Sequence, residues 1–174
     1  MKKIYLLSFL FLLCFAACKN DKKVEAITEM SKTFAFSDTL KLDTFKVALT
    51  GQKSADMMLN FTIKNFNGKK IYQKSLTATE LLKSYLDSED LKKENDKIAF
   101  INKQINAFFT EEHFLEPAVT EQQELDTNTP DEAFYNELKQ TQFNGFYYSL
   151  GKDKSIYIAW STKEQRVKTY YKCC

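Results

Sequence analysis

Between residues 34 and 76, apolar and polar side chains alternate with the two-residue period of half-buried strands. Phe34 opens the pattern, Leu40 and Leu42 continue it, and Phe45, Val47 and Leu49 repeat it up to Gly51. The phase slips between Leu42 and Phe45, which predicts a bulge or a strand break. Leu59, Phe61 and Ile63 then alternate with Asn60, Thr62 and Lys64. Asn67-Gly68 predicts a type I′ hairpin turn, whose two central positions need positive φ, and residues 71–76 form the returning strand. From there the period lengthens. Thr77 and Glu80 make a capping box ahead of Leu81, Leu82, Tyr85 and Leu86. Leu91, Ile98, Ile101, Ile105 and Phe108 fall on one helical stripe, flanked by Phe100 and Phe109. Thr129-Pro130-Asp131-Glu132 predicts the start of a third helix bearing Phe134 and Leu138: a cap, a proline, then acids. Three more alternating stretches end the pattern: Phe146, Tyr148 and Leu150; Ile156, Ile158 and Trp160; Val167, Thr169, Tyr171 and Cys173. The turns between them, residues 151–154 and 162–165, are short enough for antiparallel hairpins.

Strands, helices and strands again predict an α+β domain. Its antiparallel sheet would combine the N-terminal strands with the C-terminal three-strand meander, with two or three helices on one face. A cystatin-like or similar curved sheet fits this element order. Residues 33–174 read as a single globular domain, and residues 18–32, with little periodicity, as a tether. A hydrophobic content of 44% with 14% aromatics excludes a disordered chain.

Ahead of the tether, Met1-Lys2-Lys3 precedes an unbroken apolar run, residues 4–17, and then Cys18. The run is too short for a ~30 Å hydrocarbon core, which takes roughly 20 residues, and reads as a cleaved leader. Phe15-Ala16-Ala17-Cys18 resembles the lipobox of bacterial lipoproteins, with Phe15 where that family usually has Leu. The resemblance implies that residues 1–17 are a signal peptide and that Cys18 is lipidated, anchoring the protein in a bacterial cell envelope. An ordinary secretory signal cut after Ala16 is the alternative. The Lys-rich composition, with Arg166 the sole arginine, resembles that of Bacteroidota chains. Only one acid, Asp21, closely follows the cysteine, which favours an anchor facing the periplasm over surface exposure. Loss of the leader removes Lys2 and Lys3, and with them the formal net charge of +2. The rest is about neutral, so nucleic acid has no basic stripe to bind.

Candidate chemistry is sparse. His113, the only histidine, follows Glu111 and Glu112 and is a candidate general base or metal corner. More often such a segment is a solvated helix end, with the histidine near the C-terminal dipole. One imidazole does not supply a zinc enzyme's usual ligand set, and no metal or cofactor is expected. Tyr147, Tyr157 and Tyr170 alternate onto the face opposite Tyr148, Trp160 and Tyr171. If helices cover the latter face, the former is an exposed aromatic binding surface. Half-exposed strand tyrosines are the plainer explanation. Once Cys18 is acylated, Cys173 and Cys174 are the remaining thiols, candidates for a disulfide or for free thiols with Cys173 turned inward. Asp38-Thr39-Leu40 resembles the short site at which Bacteroidota attach O-glycans, which makes Thr39 a candidate for modification. The chain has no nucleophile elbow, phosphate loop or dinucleotide fingerprint. The expected function is a lipid-anchored, non-enzymatic module for an unidentified protein or small molecule. The alternatives are an envelope enzyme or enzyme accessory using His113 with Glu111 or Glu112, and an inhibitor of an exogenous hydrolase.

Overall fold

The computed structural model describes residues 28–149, 151–152 and 154–173. The expected leader, Cys18, Leu150 and Cys174 lie outside the described residues. The elements run β1 (Glu29–Ala35), β2 (Leu42–Thr50), β3 (Met58–Lys64), β4 (Lys70–Thr77), α1 (Ala78–Lys83) and α2 (Glu94–Ala107). A single 3-10 turn (Glu111–His113), β5 (Phe114–Leu115), α3 (Glu132–Thr141), β6 (Gly145–Ser149), β7 (Ser155–Ser161) and β8 (Arg166–Cys173) follow. The class is α+β with antiparallel strands, as the alternation predicts. The strands divide into two sheets, β1–β4 and β5–β8, each a meander in chain order. α1 and α2 carry the chain from one sheet to the other, so the strands do not close into the single curved sheet of the cystatin type. The two-residue β5, too short to leave a periodic signal, adds a fourth strand to the C-terminal meander.

β1 begins inside the stretch expected to be tether, where Glu29 pairs with Ala48. The phase slip between Leu42 and Phe45 is neither a bulge nor a break: β2 runs unbroken through both, with Leu42 on its exposed face, and the turn precedes Leu42. Leu40 lies in the connecting turn and is 89% exposed, while β2 directs Asp43, Phe45, Val47 and Leu49 into the core. Asp43 is completely buried. Its carboxylate accepts the Ser37 N–H at 2.7 Å and the Phe66 N–H at 2.9 Å, tying the β1–β2 and β3–β4 turns together. The second turn is longer than type I′. The Asn65 side chain accepts the N–H groups of Asn67 and Lys69, and Gly68 alone there takes a positive φ, +78°.

The Thr77–Glu80 capping box is present at the start of α1. α3 is capped by Asp131 and not by Thr129, because the Asp131 carboxylate accepts the third-turn-position N–H, that of Phe134, at 2.9 Å. Pro130 therefore sits just outside the helix.

The two sheets bury a common aromatic core. Phe45 and Phe61 of the first sheet meet Phe146 of the second at ring-centroid distances of 5.1 and 5.4 Å. The rings are tilted, as their quadrupoles favour. α1 and α2 close this core with Leu81, Leu82, Ile98, Ile101 and Ile105. α3 covers the opposite face of the second sheet, packing Phe134, Tyr135 and Leu138 against Ala159 and Tyr170. The helices thus occupy two faces where one was expected. Gly145 permits the chain after β5 to lie directly on β6: a Cβ there would stand 2.8 Å from that of Ala118 and 3.0 Å from the Tyr170 hydroxyl. Among the described residues, no helix is long and apolar enough to cross a membrane.

Candidate functional site

Where the first sheet, the two core helices and β6 converge, packing leaves a cavity of ≈150 Å³. β2 and β3 supply Val47, Leu59 and Phe61, β4 supplies Leu76, and α1 supplies Leu81. Gln104 and Ala107 of α2, then Phe108 and His113, form the opposite wall, with Tyr148 and Ser149 at the end of β6. The floor is apolar because alternation turns these strand positions inward. Lys74, Ala107 and Ser149 are exposed and mark the mouth. Ala107 and Ser149 are small, which leaves that mouth open.

Lys74 stands opposite Phe61 in the ladder, on the inward face of the edge strand. Among the described residues its side chain makes no hydrogen bond or ion pair. The carboxylate whose charge it influences, that of Glu80, is already engaged by the Thr77 N–H and hydroxyl. Two residues earlier on the same face, Tyr72 places its hydroxyl 2.5 Å from that of the fully buried Tyr148. Burial pushes both phenols above their ordinary pKa, so both keep their protons at neutral pH.

His113 lines the same cavity. Its Nδ1 lies 2.9 Å from the Phe108 carbonyl oxygen, which can only accept, so Nδ1 carries the proton and donates. Neither adjacent glutamate hydrogen bonds to the imidazole: Glu111 pairs with Lys32 across the structure, and Glu112 accepts from the Thr110 hydroxyl. Among the described residues, no three potential metal ligands come together.

The tyrosine row predicted on the outer face of the second sheet is rearranged. Tyr147 stacks on Tyr157 at 4.9 Å and 20°, and His113 meets Tyr147 at 4.5 Å. Tyr170, expected to be exposed, is buried beside α3 and donates to the Ala118 carbonyl at 2.9 Å. α3 covers it there, and β8 also carries a bulge: Tyr157 pairs with Tyr171 and Ile158 with Thr169, leaving Tyr170 unpaired. The extra residue reverses the alternation beyond it. Tyr171, expected inward with Val167, therefore packs edge-on to Tyr157 at 5.3 Å on the outer side, and its hydroxyl donates to Asp126 at 2.8 Å. Cys173, opposite Ser155, follows it to that side, and it is disulfide-bonded. Because Tyr147 and Tyr157 cover each other's faces, the row offers a ligand mainly ring edges. Burial raises the pKa of Tyr147, and the charge of Glu112 adds to it.

Thr39 is exposed in the β1–β2 turn, where the Asp38 carboxylate accepts the N–H groups of Leu40 and Lys41. Those bonds hold the Asp38 carboxyl below its ordinary pKa.

Sequence reasoning singled out His113 as a site residue but missed Lys74, Tyr72, Gln104 and Tyr148. One signal was legible: a lysine between Tyr72 and Leu76, at a position the strand period turns inward. Comparison with protein-family models, curated proteins and solved structures returns no match for this chain.

Proposed function

We propose that this chain is a lipid-anchored cell-envelope protein whose domain binds a small apolar-bodied ligand in the cavity between its sheets. The observation that carries the binding reading is that cavity, with an apolar floor and a mouth bearing Lys74. Concave apolar sites with a few placed polar groups are where small ligands bind. The lipobox-like Phe15-Ala16-Ala17-Cys18 supports the anchor. In this reading His113 is a wall residue oriented by the Phe108 carbonyl, and Glu111 and Glu112 take no part in the site. The outer tyrosine row, with Tyr147 and Tyr157, acts as packing for the second sheet.

Native mass spectrometry of the protein purified from its own envelope tests both parts. The expected mass lacks residues 1–17, carries acyl chains on Cys18, and includes a retained small molecule that an Ala107→Trp variant does not hold. An unprocessed or unacylated mass overturns the anchor. Equal loading of Ala107→Trp overturns the cavity as the site.

A further inference from the structure

We infer that the ligand of this cavity is a small organic carboxylate with an apolar body about one six-membered ring in size, held at its head by Lys74 and a hydroxyl of the Tyr72–Tyr148 pair. The inference rests on the reading of the cavity as a ligand site and adds the charge and size of what enters it.

Size comes from the volume. An apolar cavity of ≈150 Å³ takes a benzene-sized body, and a long acyl chain would not fit. Charge comes from the mouth. Among the described residues, the Lys74 side chain on the inward face of β4 has no hydrogen bond or ion pair, and no carboxylate side chain lines the cavity. A cationic ligand would be repelled by the ammonium there. A carboxylate would gain a charge-assisted hydrogen bond.

The second donor follows from counting protons. Two hydroxyls 2.5 Å apart hold two protons, and their mutual hydrogen bond uses one. When Tyr72 donates to Tyr148, the Tyr148 O–H is left to donate toward the cavity that it lines. Tyr72 and Lys74 are two residues apart on one strand face, about 7 Å, so the ammonium and the hydroxyl pair can converge on one carboxylate.

Calorimetric titration of the full chain with phenylacetate, phenylacetamide and phenethylammonium tests the inference. Phenylacetate is expected to bind about tenfold tighter than the isosteric amide, the scale of one charged hydrogen bond, with phenethylammonium weakest. Lys74→Gln, on an exposed edge position, should remove the preference for phenylacetate over the amide. Ala107→Trp should block both. Equal affinity for phenylacetate and phenylacetamide overturns the carboxylate assignment while the cavity reading stands. If none of the three binds, the cavity reading falls and takes this inference with it. Phenylacetate binding that survives Ala107→Trp but not Lys74→Gln places the anion on the outer surface and overturns the inference.

Discussion

The hydroxyls of Tyr72 and Tyr148 meet at 2.5 Å across the gap between the two sheets, one from an edge strand and one from the core of the other meander. Among the described residues, each hydroxyl is the other's only hydrogen-bond partner. Tyr72→Phe leaves a fully buried hydroxyl on Tyr148 unsatisfied and should cost about 1–3 kcal/mol. The Tyr72→Phe, Tyr148→Phe double variant removes both groups and should cost less than the two single changes summed, with a coupling of about 1 kcal/mol. Urea unfolding of the four proteins measures this. Additive costs would mean that the hydroxyls do not interact.

Glu137 is buried on α3 and accepts hydrogen bonds from the Ser161 hydroxyl, the Thr162 N–H and hydroxyl, and the Lys163 N–H. It thereby fastens the β7–β8 turn to the helix. Burial alone would raise its pKa, but the hydrogen bonds from Thr162, Lys163 and Ser161 outweigh burial and hold it below the ordinary 4.5. A depressed folded value means that the stabilisation is complete above pH 4.5 and is lost as the pH falls through that folded value. Glu137→Gln should cost about 2 kcal/mol at neutral pH. The difference between wild type and variant should shrink on acidification, as read from thermal unfolding at several pH values. A difference that does not change with pH would sink this assignment.

Asp43 joins two turns through one buried carboxylate. Asp43→Asn should be almost as damaging as Asp43→Ala, because the amide offers one acceptor to two N–H donors. About 2 kcal/mol is expected for each. Limited proteolysis should reveal new cleavage in the β1–β2 and β3–β4 turns together. Cleavage in only one turn would contradict a shared clamp.

Gly145 is required for space. Gly145→Ala would drive a methyl group into Ala118 and the Tyr170 hydroxyl, at the cost of overpacking, about 1–3 kcal/mol. It should also break the hydrogen bond from Tyr170 to the Ala118 carbonyl. The denaturant midpoint measures the first effect, and the near-ultraviolet tyrosine dichroism the second. A variant as stable as wild type would show that the chain after β5 moves away freely.

Interactions within a few residues were readable along the chain. The Thr77–Glu80 box, the α2 stripe from Ile98 to Ile105 and the β6–β7–β8 hairpins occur where local pattern places them, since each needs only neighbours in sequence. Periodicity reports which face a residue shares, and it says nothing of which edge pairs or what lies across the gap. Hence the division into two sheets and the placement of α3 on the far face required tertiary contacts. The bulge at Tyr170 is a mismatch between two strands, invisible in either one alone, and it changed the tyrosine row on which a binding face was expected. Asp43 follows the same rule, because its burial depends on two turns meeting it. The cavity is the strongest case. Lys74, Ala107 and Tyr148 come from three separate elements, and only long-range packing sets them around one space. The class of the fold, like the lipobox-like order on which the proposed anchor at Cys18 rests, is a property of local order in the chain; the candidate site is a property of how its parts are brought together.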